Sequence, residues 1–217
     1  MNDGEMKIEQ LRDADPDIRS DAAERLGKMR AAEAVDHLLA VLRDDQAVVR
    51  RRAAQALGKI RDQRAVHDLI AGLRDDARTV RKEAAKSLGK IRDQQAAGPL
   101  IAAITDTSAD VREAAVKSLG KIRTVSAVEP LTAALQDSSE DVREAAAKAL
   151  GAVRSQRAVG PLTTALADTS EGVRKAAAKA LGRIRSPQAV DDLTAALEDT
   201  SKSVRKRAAK ALKKIKT

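Results

Sequence analysis

Aspartate and arginine recur every 31 residues along this 217-residue chain, and such rows of charged groups could bind a ligand. The repeat arginines, as we call them, are Arg19, Arg50, Arg81, Arg112, Arg143, Arg174 and Arg205. Regular Asp–Arg rows also form structural ion-pair networks. We therefore predict a structural ladder in which each Asp fixes a turn and each Arg, six residues later, bonds to that Asp or its neighbour. Its members are Asp44, Arg50, Asp75, Arg81, Asp106, Arg112, Asp137, Arg143, Asp168 and Arg174.

A second row of charges occupies the fifth and ninth positions after each repeat arginine, which lie one helical turn apart. Eleven of these fourteen positions are basic, and we call the set the basic stripe. A positive face could hold a polyanion or an acidic protein segment. The candidate partner-binding residues are Lys59, Lys86, Lys90, Lys117, Lys121, Lys148, Lys179 and Arg183. A solvated helix face is the competing interpretation, and Glu113 and Glu144 dilute the stripe in the middle repeats.

The composition excludes several other kinds of site. There is no cysteine, which rules out a disulfide framework, a thiol nucleophile and a thiolate metal site. There is no Phe, Trp or Tyr, which rules out aromatic stacking on nucleic-acid bases. We interpret His37 and His67 as surface residues because a structural metal site needs more ligands at better spacing. The sequence therefore predicts no catalytic residue, no metal and no cofactor.

The same interval divides the chain into repeats that each contain two helical patterns. In the fourth repeat, Ala97, Leu100, Ile101 and Ile104 have the i, i+3, i+4, i+7 spacing of one helix face. A longer, Ala-rich pattern follows from Val111 to Ile122. Two such helices cannot cover their own apolar faces, so stacked neighbours must complete the core. This predicts an all-α fold, a right-handed α-solenoid of seven helix–turn–helix repeats that forms one domain over residues 1–217. The repeats are 1–31, 32–62, 63–93, 94–124, 125–155, 156–186 and 187–217, of which the first and last act as caps.

The second helix of each repeat carries two further expectations. Glycine recurs inside it, where it costs about 1 kcal/mol against alanine, so a close packing contact is expected. These glycines are Gly27, Gly58, Gly89, Gly120, Gly151 and Gly182. At its start, Thr107-x-x-Asp110 and Ser138-x-x-Asp141 look like capping boxes with Asp in place of Glu.

One repeat shows the recurring residue pattern in full. Its two halves read Ala65-Val66, Leu69, Leu73 and Asp75, then Val80-Arg81, Ala84-Ala85, Leu88-Gly89 and Ile91. This pattern resembles the HEAT-like repeat of the phycobilisome-lyase type and extends over all seven repeats. The resemblance implies that the second helices line the concave side. It does not imply lyase activity, because such lyases hold a chromophore partly through aromatic contacts and this chain has no aromatic residue.

These observations favour a non-catalytic scaffold that binds a protein or an acidic peptide on its concave face. A scaffold designed or derived from natural repeats is a variant of this interpretation. The alternative is an electrostatic nucleic-acid binder that uses the basic stripe for salt-dependent phosphate contacts. A lyase or chaperone-like subunit ranks third. The net charge is +9, no apolar run is long enough to span a membrane, and we expect a cytoplasmic monomer.

Overall fold

The computed structural model describes residues 3–216, and these residues form fourteen α-helices and no β-strand. The predicted all-α repeat fold is confirmed, with a short first helix and a longer second helix in each repeat. The chain divides into two compact units, residues 1–118 and 119–217. A single solenoid over the whole chain therefore stays a prediction. Across the described part of the chain, no helix combines the length and apolar character needed to cross a membrane.

Odd-numbered helices are the first helices of the repeats, and even-numbered helices are the second helices. Unit 1 contains α1 (Asp3–Gln10), α2 (Pro16–Met29), α3 (Val35–Val41), α4 (Ala47–Ile60), α5 (Val66–Gly72), α6 (Arg78–Ile91), α7 (Ala97–Ala102) and most of α8 (Ala109–Ile122). Unit 2 contains the end of α8 and then α9 (Val128–Ala133), α10 (Glu140–Val153), α11 (Val159–Thr164), α12 (Glu171–Ile184), α13 (Val190–Ala195) and α14 (Lys202–Lys216).

The first helices are shorter than their apolar pattern suggests. The segment around α7 is a 3₁₀ turn at Gln94–Ala96, then the α-helix, then a second 3₁₀ turn at Ala103–Thr105. The second 3₁₀ turn lets the Asp106 amide donate to the Ala103 carbonyl oxygen at 3.3 Å. Such i→i+3 bonds satisfy carbonyl groups that have no partner at a helix end.

Leucines from both helices of the five inner repeats, and from one helix of each terminal repeat, form the centre of the core in each unit. The completely buried leucines of unit 1 are Leu26, Leu38, Leu57, Leu69, Leu88 and Leu100. Those of unit 2 are Leu119, Leu131, Leu150, Leu162, Leu181 and Leu193. Each buried leucine contributes roughly 1.5–3 kcal/mol relative to an exposed one, so this regular row is a main source of stability.

An aspartate closes the turn before the second helix. Asp168 Oδ1 accepts a hydrogen bond from the Ser170 amide at 2.8 Å, and Ser170 is the N-cap of α12. The same bond joins Asp44 to Gln46, Asp75 to Ala77, Asp106 to Ser108, Asp137 to Ser139 and Asp199 to Ser201. The predicted capping boxes are wrong. Helices α8 and α10 begin one residue later than N-caps at Thr107 and Ser138 would require, because this aspartate turn comes first.

The second helices from α2 to α12 end on an arginine in the left-handed conformation. The six arginines, with φ between 55° and 65°, are Arg30, Arg61, Arg92, Arg123, Arg154 and Arg185. At the end of α10, the Arg154 amide donates to the Leu150 carbonyl oxygen at 3.0 Å and closes the helix. Glycine is the usual residue in this conformation, because a Cβ there costs roughly 1–2 kcal/mol. These helix ends could not be predicted from the sequence, since no glycine marks them.

The close packing predicted for the glycines is confirmed within each unit. A Cβ atom added at Gly151 would lie 2.7 Å from both the Cα and the Cβ of Ala180 on α12. In unit 1, a Cβ added at Gly27 would lie 2.6 Å from the Ala56 Cα on α4. Neighbouring second helices therefore approach backbone to backbone at these points. Side chains that flank these glycines on one second helix therefore lie close to side chains on the next second helix.

Candidate functional site

The Asp–Arg ladder joins consecutive repeats through a bidentate ion pair. In unit 2, Arg143 Nε lies 2.8 Å from Asp168 Oδ2, and Arg143 Nη2 lies 3.0 Å from Asp168 Oδ1. Arg143 Nη1 also donates to the Asp137 carbonyl oxygen of its own turn at 2.9 Å. The same pairing joins Arg19 to Asp44, Arg50 to Asp75, Arg81 to Asp106 and Arg174 to Asp199. Arg112 donates to the Asp106 carbonyl oxygen at 3.0 Å.

The electrostatics of the ladder support its structural interpretation. Burial raises the pKa of Asp168, but the hydrogen bonds from Arg143 and the Ser170 amide outweigh burial and hold that pKa below its usual range. The Asp199 pKa is lowered chiefly by its hydrogen bond from Arg174. Both carboxylate oxygens of Asp168 accept hydrogen bonds from the chain itself. The ladder therefore holds the repeats in register with one another.

One carboxylate on α2 neutralises basic residues of both α2 and α4. Glu24, itself a stripe position, lies 2.9 Å from Lys28 Nζ and 2.9 Å from Arg52 Nη1. The pKa of Glu24 is lowered, first by the hydrogen bond from Lys28 and further by the charges of Arg52 and Lys59. Among the described residues Lys59 forms no ion pair, and its predicted role in partner binding stays a prediction.

The stripe on α6 and α8 is neutralised in the same way in unit 1. Glu83 lies 3.8 Å from Lys86 Nζ and 3.6 Å from Lys90 Nζ, so one carboxylate is shared by two stripe lysines. Lys117 is paired with Glu113, one turn earlier on the same helix. Of these two glutamates, only Glu113 was expected to dilute the stripe, and both form ion pairs with lysines that were expected to bind a partner.

Unit 2 has both neutralised and unneutralised stripe positions. Lys148 Nζ lies 2.7 Å from Glu144, and Lys121, exposed near the end of α8, is not one of the unneutralised positions. On α12 and α14, no carboxylate of residues 3–216 forms an ion pair with Lys179, Arg183 or Lys210. The positive charge of the stripe is therefore least compensated on the last two second helices.

These unneutralised residues surround a small cavity. Its volume is about 160 Å³ and its lining is Lys179, Gly182, Arg183, Arg207, Lys210, Ala211 and Lys214. Its floor is the contact of α12 with α14, because a Cβ added at Gly182 would lie 2.8 Å from the Ala211 Cα. The charge of Arg183 lowers the pKa of Lys179, and burial, Arg207, Lys148 and Lys214 lower it further. We call this feature the cationic pocket.

Arg207 is the functional candidate that sequence reasoning missed. It stands two positions after a repeat arginine and so lies outside the basic stripe. The equivalent residues of the three preceding repeats are Ala114, Ala145 and Ala176. The change from alanine to arginine at one repeat position was the available signal.

The histidines do not form a cluster with carboxylates. His67 is exposed, and the neighbouring Asp68 Oδ1 lies 3.5 Å from Arg43 Nη2. Asp36, beside His37, lies 2.9 Å from Arg64 Nη1. Within residues 3–216, no group of three or more His, Asp or Glu side chains could hold a metal ion.

The amino-acid sequence matches a known family model. The model for HEAT repeats matches residues 5–85, 67–141 and 128–213, which together cover nearly the whole chain. The chain belongs to the HEAT-repeat family. This confirms the resemblance in the sequence and the repeat type of the fold. No curated protein matches this HEAT-repeat chain.

Solved structures of similar fold include one lyase complex and several engineered proteins. The complex of CpcE and CpcF of phycocyanin lyase from Nostoc sp. PCC7120 aligns with a TM-score of 0.67 and 27% identity, covering 99% of this chain and 95% of that one. An engineered protein aligns with a TM-score of 0.67 and 24% identity, covering 99% and 68%. A designed armadillo repeat protein in complex with the peptide (KR)4 aligns with a TM-score of 0.61 and 20% identity, covering 99% and 100%. The last two likenesses establish the fold alone.

Proposed function

We propose that this HEAT-repeat chain is a non-catalytic scaffold that binds an acidic protein segment on the face of its second helices. The observation that carries the proposal is the uncompensated positive charge of Lys179, Arg183 and Lys210 on α12 and α14. A regular array of helices offers an extended surface for a partner. Uncompensated basic side chains on such a surface attract acidic segments and reject basic ones.

The distribution of ion pairs favours a protein segment over a nucleic acid. A nucleic-acid strand presents a phosphate at every nucleotide, so it is bound best by a continuous row of free cations. Here Lys86, Lys90, Lys117 and Lys148 are each paired with a glutamate. The absence of aromatic residues also removes base stacking. An acidic peptide needs only a local positive patch.

The likeness to the phycocyanin lyase complex is not carried over as an activity. The scaffold proposal uses only the repeat fold and the charges of this chain. If this chain increased the rate at which a chromophore is attached to a bilin-binding protein, the proposal of a non-catalytic scaffold would be wrong. That assay is a direct check on the proposal.

The proposal is tested by fluorescence anisotropy with a peptide of alternating Glu and Ser that carries an uncharged fluorophore. One variant reverses four stripe charges on α12 and α14 (Lys179→Glu, Arg183→Glu, Lys210→Glu and Lys214→Glu). The control reverses four exposed arginines outside the second helices (Arg12→Glu, Arg43→Glu, Arg74→Glu and Arg157→Glu). Both variants change the net charge equally. Their affinities for the peptide should therefore differ only if the peptide binds on the face of the second helices.

We expect the stripe variant to lose peptide binding and the control to retain it. Equal losses in both variants would contradict the proposed face, because they would show that net charge alone attracts the peptide. Duplex DNA of matched charge is titrated in parallel over a range of salt concentrations. If DNA bound more tightly than the peptide, with a steep salt dependence and a loss confined to the stripe variant, the nucleic-acid alternative would replace the proposal.

A further inference from the structure

The cationic pocket differs in its charges from a cavity that lies on the second helices of unit 1. This cavity is formed by α4, α6 and the start of α8, and its lining is Arg51, Arg78, Thr79, Lys82, Glu83, Lys86 and Asp110. In that cavity, Asp110 lies 3.2 Å from Lys82 Nζ and 3.5 Å from Arg78 Nη1, while Glu83 binds Lys86. The cationic pocket has five basic residues in its lining and no acidic residue. The same repeat architecture therefore gives one self-neutralised cavity and one purely cationic cavity.

Close helix packing forces the basic side chains of the cationic pocket together. Gly182 allows α14 to approach α12 until their backbones touch at Ala211. Lys179 and Arg183 are one turn apart on α12, and Arg207 and Lys210 are three residues apart on α14, so each pair lies on one helix face. Their like charges repel one another, which is expressed in the lowered pKa of Lys179. A bound anion would relieve this repulsion.

We propose that the cationic pocket binds a phosphate monoester dianion carried by a protein segment, in effect a phosphorylated side chain. A phosphate monoester carries nearly two negative charges at neutral pH and three acceptor oxygens. Arg183 and Arg207 supply the planar guanidinium groups that bind phosphate oxygens in pairs, and Lys179 and Lys210 add compact charges. The inference rests on the proposed scaffold function and names the group that the partner segment presents.

The size of the pocket favours one phosphate group over a chain of them. The unneutralised cations of the pocket lie on α12 and α14, and the next stripe lysine towards the N-terminus, Lys148, is already paired with Glu144. One dianion matches the local cluster, whereas a nucleic-acid strand would need further free cations beyond it. A carboxylate side chain brings half the charge and fewer acceptor oxygens. A phosphorylated side chain is thus the best match in charge and geometry.

The test uses the full chain and three labelled peptides of Gly, Ser and Ala with an uncharged fluorophore. One peptide contains a central phosphoserine, the second an unmodified serine and the third a glutamate. Binding is followed by anisotropy at near-physiological salt. The pocket variant is Lys179→Gln with Arg183→Gln, and the matched control is Lys86→Gln with Lys90→Gln. The two pairs occupy equivalent repeat positions and remove the same charge. Far-ultraviolet circular dichroism checks that each variant is folded.

We expect the phosphoserine peptide to bind at least tenfold more tightly than the other two peptides. We expect the pocket variant to lose about tenfold or more of that affinity and the control to stay within about twofold, because its lysines already have carboxylate partners. Equal weakening of both variants would overturn the inference. So would equal binding of the phosphoserine and glutamate peptides, although the scaffold proposal would survive that result. Failure of all acidic peptides to bind would refute the scaffold proposal itself.

Inorganic phosphate is added as a competitor to identify the source of the phosphate group. Displacement of the phosphopeptide only at much higher phosphate concentration supports a phosphate carried by a protein segment. Displacement at concentrations equal to those of the peptide would show that the pocket takes free phosphate, and would overturn the peptide-borne source. A second variant, Arg207→Gln, tests the residue outside the stripe. It should weaken phosphopeptide binding, and unchanged affinity would remove Arg207 from the site.

Discussion

The substitution Gly151→Ala tests the idea that glycine sets the distance between neighbouring second helices. An added Cβ would lie 2.7 Å from the Ala180 Cα and 2.7 Å from its Cβ. Carbon atoms in van der Waals contact are about 3.5–4.0 Å apart, so α10 and α12 must separate by roughly 1 Å. The obstacle is helix backbone and cannot rotate away. The expected overpacking cost is therefore near the upper end of the usual range, about 3 kcal/mol.

The net effect is smaller because alanine favours the helix. Replacing glycine by alanine inside a helix gains about 1 kcal/mol, which leaves a net loss of about 2 kcal/mol in the free energy of unfolding. In a chain of this size, 1 kcal/mol shifts the Tm by roughly 2–4 °C, so we expect a fall of about 4–8 °C. The chain has no Tyr or Trp, so unfolding is followed by far-ultraviolet circular dichroism instead of intrinsic fluorescence.

The matched control is Gly172→Ala in the first turn of α12. Its Cβ would lie 3.3 Å from Glu144 Cδ, the end of a flexible side chain that can move aside. The same chemical change should therefore raise stability by about 0.5 kcal/mol, through the lower entropy of the unfolded chain. Opposite signs at the two glycines are the expected result. Equal Tm values for the two variants, or a more stable Gly151→Ala, would refute the packing argument.

Three further predictions follow from the ladder and the helix ends, each measured by urea denaturation. Asp168→Asn keeps the acceptor for the Ser170 amide but weakens the pair with Arg143, so we expect the free energy of unfolding to fall by about 1–2 kcal/mol. Asp168→Ala should lower it further because it removes both interactions. Equal losses for the two variants would contradict the separate capping role. The pKa of Asp168 is lowered on folding, so the stability that it contributes is fully present above its unfolded pKa of about 3.9 and is lost as the pH falls through its folded pKa. The difference between wild type and Asp168→Asn should therefore be constant from neutral pH down to about pH 5 and shrink below about pH 4, and a constant difference at all pH values would refute this linkage. Arg154→Gly should stabilise by about 1 kcal/mol because Arg154 has a φ of 60°, whereas Arg157→Gly in an ordinary 3₁₀ turn should destabilise; a loss at both positions would contradict the assigned strain.

The repeat fold could be predicted from the sequence because its period is unbroken. The apolar spacing of Leu100 and Ile104 and the leucine rows predict both helices of a repeat. Glycine positions such as Gly151 predicted close contact because glycine is unfavourable in a helix without a packing reason. These predictions depend on local patterns that repeat seven times, so each repeat provides independent support for the others.

Local details that depend on competition between neighbouring groups were predicted less well. Ser138 has the sequence of a capping box, but Asp137 lies one residue earlier and closes the turn first. Arginine at position 154 does not predict a left-handed helix end, because glycine is the residue usually found in that conformation. Both errors arose where two residue types could satisfy the same backbone groups, and the periodicity does not distinguish between them.

The charges of the basic stripe show why counting residues gives a poor prediction of a binding surface. Lys86 and Lys179 occupy the same repeat position and contribute equally to the net charge. Glu83 lies 3.8 Å from Lys86, whereas Lys179 is surrounded by Arg183, Arg207 and Lys214. An anion that approaches Lys86 must compete with the carboxylate of Glu83, whereas an anion that approaches Lys179 meets no competing carboxylate. The free energy available for anion binding therefore differs between the two sites. The candidate site is thus marked by basic residues that have no carboxylate nearby. Whether a carboxylate is nearby depends on the packing of helices that are 31 residues apart in the sequence.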